Sequence, residues 1–433
     1  MKKIWRFLSI IITILMVIGV ALGVSIAIKE KNKNSDAELF SKVQSKEAEV
    51  VEFFTYGTSL NFSCRIFGVE KDNYESARLL LIDEKNNESE YKVFSHFEDN
   101  NMIITTSNYI NDAINLEKLA TGKYNIVIRL KVNNSSNHKY YLLRNTSKNQ
   151  GIEYYTISNN KKVTVEEVTS EANKIKHTYL KVNVEDAEKP ANVYDVVIDA
   201  GHGGDDSGVT ADGYSEADIT LDYANLLKAK LEENGLKVKL TRDNSNTENY
   251  KEKETYSENG RITIACASKA KYMISLHVNN GNKDFSGLEI YCPCKSNLSF
   301  AKQLAEAITE NTSMEYSNTG KYKVADGVYV RNFSQTEIDT YANTAEKNGY
   351  ENYNLTLDTP FLYTIREVGG IATNAFVDGR NKNYSANKYY NSNQGIECYQ
   401  IELGYIKNDL EIILNEKEQY VQSICDTIVS NIK

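Results

Sequence analysis

The chain has 433 residues, enough for two or three domains with buried cores. Lys and Arg total 50 against 59 Asp and Glu, a formal net charge of −9, which argues against a protein that grips nucleic acid through its phosphates. With 25% charged and 41% hydrophobic residues and only three prolines, disordered and collagen-like classes are excluded.

Lys2, Lys3 and Arg6 precede an uncharged apolar run from Phe7 to Ile28. That run is long enough for the hydrocarbon core, which takes about 20 residues. It predicts a single-pass transmembrane helix over 1–28, with the positive flank in the cytoplasm and the bulk of the chain extracytoplasmic at the cell membrane. Ser25-Ile26-Ala27 offers a signal-peptide cleavage site, and cleavage there would give a secreted protein instead. Residues 29–48 are polar and charged and read as a tether.

From 49 to 184 the pattern has a period of two. Leu60, Phe62, Cys64 and Ile66 alternate with mostly polar neighbours, and so do Tyr124, Ile126, Ile128, Leu130 and Val132. Asn-containing polar stretches separate such runs, which predicts a β-sandwich-like, immunoglobulin-like domain. His96, His138 and His177 stand isolated within it and read as surface or packing residues. Residues 185–192, with Pro190, read as a linker.

From 193 to 433 the texture changes to α/β. VYDVVID (193–199) is an apolar run suited to a strand covered on both faces. Ser215 is placed to cap a helix with Asp218 as its partner, Ile219, Tyr223, Leu226, Leu227 and Leu231 form the apolar face, and Gly235 ends it. Leu236 to Leu240 predicts a second strand, Arg261 to Ala270 a helix, Tyr272 to His277 a buried strand and Leu298 to Thr312 a helix. Ile396 to Glu402 predicts a further strand, and Asp409 to Ile432 a final helix or helix pair. Strands alternating with helices imply a mainly parallel sheet flanked by helices, with its site at the carboxyl ends of the strands. The six cysteines form no CxxC pair and read mostly as small buried hydrophobes.

Three of those strand ends carry chemically loaded residues: His202 in the glycine turn of VVIDAGHGG, His277 closing YMISLH, and Glu402 closing IECYQIE. A fourth, Glu216, lies in the first turn of the helix after the glycine loop. Two imidazoles and a carboxylate form the ligand set of many catalytic zinc sites, and a separate carboxylate must move the proton of the attacking water. Gly201, Gly203 and Gly204 suit a sharp turn around His202. Asp199 is a candidate to orient a ligand. Glu397 rivals Glu402 on the same strand, but the odd spacing puts the two on opposite faces, so only one can look at a metal.

VVIDAGHGGDDSGV, SEADITL, MISLHVN and IELGYIKND together resemble the zinc-dependent N-acetylmuramoyl-L-alanine amidases of bacterial cell walls, from about Val193 onward. KVKLTR (237–242), Arg261, SGLEIY and LYTIRE add to the likeness. The resemblance implies that His202, Glu216 and His277 ligate Zn2+ and that Glu402 is the catalytic carboxylate. It also implies a peptidoglycan substrate, cut at the amide between N-acetylmuramic acid and L-alanine. Arg366 is a candidate to hold a substrate carboxylate or to make an ion pair, and Asn279 to contact substrate or hold its own loop. The stretches 315–356 and 366–402 look like insertions, the second beside the cleft. The resemblance leaves room for a protein activator. The alternative reading is a non-catalytic, wall-binding surface protein with a degenerate amidase fold.

Overall fold

The computed structural model describes residues 38–147, 149–172, 174–243, 260–349, 355–369 and 395–432. The expected anchor over 1–28 and residues 29–37 of the tether lie outside the described residues. Among the described residues no helix is long and apolar enough to cross a membrane.

The N-terminal domain runs from the strand Ala48–Tyr56 to the strand Ile175–Asp186. In one half, Gly122–Val132 pairs antiparallel with both Tyr74–Asp83 and Ile175–Asp186. In the other, Ser59–Phe67 pairs antiparallel with Ala48–Tyr56 and Asn101–Thr105. His138–Asn145 joins the halves, antiparallel to Gly122–Val132 and parallel to Ala48–Tyr56. Period-two alternation then sends Leu79, Leu81, Ile126 and Ile128 into one core with Phe62, Cys64 and Ile104. The intervening Leu80, Ile82 and Val127 are buried on the other face by Leu39 and Phe40. His96 bonds Glu98 on the surface, whereas His177 is buried against Phe40.

The C-terminal domain is built on a seven-stranded sheet. Its strands are β1 (Val196–Ala200), β2 (Val238–Leu240), β3 (Tyr272–Asn279), β4 (Glu289–Tyr291), β5 (Lys323–Ala325), β6 (Val328–Tyr329) and β7 (Glu397–Tyr405), in the spatial order β2-β1-β3-β7-β4-β6-β5. The four strands β2, β1, β3 and β7 are parallel. The expectation of a mainly parallel sheet needs one correction: β4 runs antiparallel to β7, so the sheet is mixed. Helices cover both faces. On one, α1 (Glu216–Glu233), α3 (Ser299–Asn311) and α7 (Lys417–Ile432) bury Leu227, Leu304 and Val421 against Ile198, Ile274 and Ile401. Each such side chain removed from water contributes about 1.5–3 kcal/mol. On the other, α2 (Arg261–Ser268) and α5 (Tyr363–Gly369) pack Ile262 and Ile365 on Val197, Met273 and Cys398.

The start of α1 follows from its sequence. Ser215 Oγ accepts the Asp218 N–H at 3.2 Å and donates to the Asp218 carboxylate at 2.6 Å. Gly235, at φ +82°, turns the chain out of the helix. Among the described residues no cysteine forms a disulfide, and five of the six are buried.

The two domains meet at the amino ends of β3 and β7. Gly57 N–H donates to Gly395 O at 3.0 Å, Ile110 N–H to Lys295 O at 2.9 Å, and Asn111 Nδ2 to Glu397 Oε1 at 3.0 Å. The N-terminal domain therefore lies away from the carboxyl ends of the parallel strands.

Candidate active site

Those carboxyl ends bring three of the four chemically loaded residues into one cluster. Ligand atoms of His202, Glu216 and His277 all lie within 4.8 Å of one another. Glu216 bridges the two rings: Oε2 is 3.2 Å from His202 Nε2, and Oε1 is 3.0 Å from His277 Nδ1. The helix start positions this carboxylate, and the N–H groups of Val209 and Val278 hold its two oxygens at 3.0 and 2.9 Å.

The loop that carries His202 is under strain and heavily braced. His202 has φ +57°, a left-handed conformation that L-residues adopt at a cost of order 1–2 kcal/mol. Gly203 and Asp206 exchange backbone hydrogen bonds at 2.8 and 2.9 Å, which folds the loop back on itself. Arg242 donates to the carbonyls of Ala200, Gly201 and Ala217, and Arg261 to that of His202. Two glycines make room for the cluster. A Cβ on Gly201 would stand 2.6 Å from His277 Cε1 and 2.7 Å from Leu276 O, and one on Gly208 would stand 2.5 Å from Glu216 Oε2.

Asp199 does not orient a ligand. Its buried carboxylate accepts from Arg261 at 2.8 Å, Ser275 at 2.7 Å and Thr241 at 2.6 Å. The orienting carboxylate is Asp206, 2.9 Å from His202 Nδ1, which turns Nε2 toward Glu216. Sequence reading passed over Asp206, although its place four residues after His202 in the same loop was a usable signal.

Charge follows this geometry. Burial works against a charged His202 ring, but the Glu216 and Asp206 carboxylates outweigh it and hold the pKa up at about 9 in the metal-free site. Burial likewise opposes ionisation of Glu216, yet the two imidazoles keep it well below the usual carboxylate range. His277 Nε2 is buried with no hydrogen-bond partner, an orphan that a protein interior ordinarily avoids. Two imidazoles and one carboxylate with ligand atoms within 4.8 Å of one another fit a zinc ion with an open fourth position.

Glu402 stands directly across from His277 in the β3–β7 register. Gln400 Nε2 holds its Oε1 at 2.8 Å. Burial pushes its pKa up to about 7, the negative charges of Glu216 and Glu289 add to that, and His277 and Gln400 oppose it. Glu397 lies at the other end of β7, bonded to Asn111 and Tyr399 in the interdomain seam. Arg366 is not in the cluster. It is buried, and its guanidinium donates to Pro360 O, Phe361 O and Glu367 Oε1 at 3.3, 2.7 and 3.0 Å. Asn279 holds the wall beside Glu402 by donating to Glu289 Oε2 at 2.9 Å. Of the stretch between Arg366 and Glu402, residues 370–394 lie outside the described residues.

A family model described as N-acetylmuramoyl-L-alanine amidase matches residues 196–433, more than half of the chain. The chain belongs to the N-acetylmuramoyl-L-alanine amidase family. The uncharacterised protein YqiI of Bacillus subtilis (strain 168) is 29% identical to this amidase over 174 residues, covering 39% of this chain and 81% of YqiI. The N-acetylmuramoyl-L-alanine amidase LytC of the same organism is 28% identical over 160 residues, 35% of this chain and 31% of LytC. Among solved structures, the N-acetylmuramoyl-L-alanine amidase AmiC2 of Nostoc punctiforme is 20% identical, with 56% of this chain and 98% of that chain covered and a TM-score of 0.32. The amidase domain thus accounts for the matched half, and the β-rich half lies outside the family model.

Proposed function

We propose that this chain is a zinc-dependent peptidoglycan hydrolase that cuts the amide between N-acetylmuramic acid and the L-alanine of the stem peptide. We place it outside the cell on its N-terminal membrane segment. The observation that carries the reading is the convergence of His202, Glu216 and His277, with Glu402 one strand across from His277. Zinc held by those three residues would acidify a water molecule and polarise the scissile carbonyl.

The chain's own groups account for the proton. Ionised Glu402 accepts it as the water oxygen bonds to the lactyl carbonyl carbon. Protonated Glu402 then delivers it to the nitrogen as the C–N bond breaks, leaving a lactyl carboxylate and a free L-alanine amino group. A pKa near the working pH suits a group that must both take and give a proton. Asp206 holds the His202 ring in the tautomer that presents Nε2, and Arg242 and Arg261 keep the loop from relaxing.

The test is digestion of purified sacculi, with metal removed and restored, and with Glu402→Gln. Mass spectrometry should find stem peptides with a free L-alanine amino terminus. Intact amides after digestion, or cleavage within the glycan or the peptide instead, would overturn the reading. The membrane segment is tested by fractionation: the full chain should sediment with membranes, and a chain lacking 1–28 should not.

A further inference from the structure

We infer that Phe285, seated on the buried ring of Tyr405, forms a stacking shelf for a pyranose ring of the glycan strand, with Tyr405 fixed in place by the buried carboxylate of Glu289. The inference rests on the amidase reading for the place of the scissile bond.

Glu289 is 2% exposed, yet it carries a carboxylate. Its Oε1 accepts from Ser317 Oγ at 2.8 Å, Thr319 Oγ1 at 2.9 Å and Tyr405 Oη at 2.6 Å. Its Oε2 accepts from Asn279 Nδ2 at 2.9 Å and Tyr291 Oη at 2.8 Å. These are neutral donors, drawn from the ends of β3 and β7, from β4 and from the segment after α3. Burying a carboxylate is costly, and this donor set makes it tolerable. Glu289 is also the direct partner of Glu402 across β4 and β7, so His277, Glu402 and Glu289 form one row on one face of the sheet. The hub therefore fixes the cleft wall on the far side of Glu402 from the cluster.

The ring that Glu289 holds supports a second one. Phe285 packs on Tyr405 with 5.9 Å between centroids and 46° between planes. Phe285 is 38% exposed, but its loop is tied down. Asn408 Nδ2 donates to Phe285 O, Ser286 Oγ to Asp409 Oδ1 at 2.6 Å, and Gly287 N–H to Asp409 Oδ2 at 2.8 Å. The same Asp409 oxygen accepts Tyr405 N–H at 2.7 Å, so one carboxylate registers both ring-bearing segments. Gly281 lets the rings close up: a Cβ there would stand 2.7 Å from Phe285 Cδ2 and 2.8 Å from Tyr405 Cδ1. An exposed aromatic ring on a braced loop is a presented surface, with its entropy cost already met by the fold.

Its place and chemistry name the occupant. Tyr405 lies beyond Glu402 on the same strand, and a bulge makes that step match the two residues from His277 to Asn279, about 7 Å along the sheet. That offset suits the sugar joined to the scissile carbonyl through its lactyl arm. Lys283 and Asp284 beside the ring are adjacent and opposite, the Glu289 and Asp409 carboxylates beneath it are buried and held by hydrogen bonds, and Arg366 is turned into the domain. The shelf thus offers aromatic area backed by buried carboxylates, which suits the C–H face of a neutral sugar better than the carboxylates of a stem peptide.

The experiment compares kcat/KM on a soluble disaccharide-linked stem peptide with that on an N-lactyl peptide without sugar. Phe285→Ala should lower the ratio of the two about three- to tenfold, carried by KM on the sugar-linked substrate. Tyr405→Phe and Glu289→Gln, which free the ring from its hub, should lower it in the same direction, with zinc content and Tm reporting on folding. An unchanged ratio in Phe285→Ala overturns the shelf. A separate arm measures binding of peptide-free glycan oligosaccharides to the Glu402→Gln protein by calorimetry. Binding that Phe285→Ala weakens supports the shelf even if no amide is cut, and no binding, or binding that Phe285→Ala leaves intact, overturns it.

Discussion

The imidazoles of His202 and His277 meet edge to face, 5.2 Å between centroids and 79° between planes, with the Glu216 carboxylate between them. A packing histidine has no reason for that arrangement, since it leaves His277 Nε2 without a partner. A metal ion held by the three clustered side chains would account for their convergence. The purified protein is expected to carry about one zinc ion per chain, and a chelator to abolish turnover until zinc is returned. His277→Ala should lose both metal and activity, read by elemental analysis and sacculus digestion. Full activity in thoroughly chelated protein would remove the metal from the account.

Asp206 reaches the metal cluster only through the ring it holds. Asp206→Asn keeps the size of the side chain but loses the charge that favours the presented tautomer. Zinc affinity is expected to fall about 10- to 100-fold, measured by competition with a chromophoric chelator. Asp199→Asn, by contrast, breaks the Arg261 brace and should act chiefly on thermal stability. Equal effects of the two variants on metal affinity would deny Asp206 its separate role.

Glu402→Gln separates chemistry from structure. The amide still fits beside Gln400 but cannot take a proton, so kcat should drop about 10²- to 10⁴-fold. Zinc content should stay at the level of the unaltered protein, because Glu402 is not among the three clustered ligands.

Much of this arrangement was legible in the sequence for one physical reason. Parallel strands end at the same edge of a sheet, so polar residues closing apolar runs, such as His277 in YMISLH and Glu402 in IECYQIE, become neighbours whatever their separation along the chain. What stayed hidden depended on side-chain direction. Asp199 is the candidate read for His202, and the reversal of the loop at Gly203 gives that place to Asp206 instead. Arg366 reads equally as a substrate clamp or an ion-pair partner, and it pairs with Glu367. Its place in α5 also turns it onto the carbonyls of Pro360 and Phe361. The direction of β4 was equally unreadable, because a three-residue strand carries no mark of its partner's polarity. Yet Glu289 within the apolar LEIY run was a visible anomaly, a charge where the pattern asks for a hydrophobe.

Glu397 provides a test of the interdomain seam by pH. Burial pushes its carboxyl from the usual 4.5 up to about 7, against hydrogen bonds from Tyr399 and Asn111 that favour the ionised form. Between pH 4.5 and 7 the folded protein therefore holds a proton that the unfolded chain has released. Folding stability must fall as pH rises through that window, by roughly 3 kcal/mol in all from this group, and level off above it. Glu402 acts with the same sign, so the slope belongs to both. Glu397→Gln keeps an acceptor for Tyr399 and Asn111 without a titrating proton. Thermal unfolding from pH 4.5 to 7.5 should show a smaller loss of Tm in this variant than in the unaltered protein. Asn111→Ala, which removes a donor from the charged form, should steepen the loss. Parallel Tm curves for the unaltered protein and Glu397→Gln would mean that this carboxyl is ionised in the fold, and that the seam is held by its hydrogen bonds without any dependence on a neutral acid.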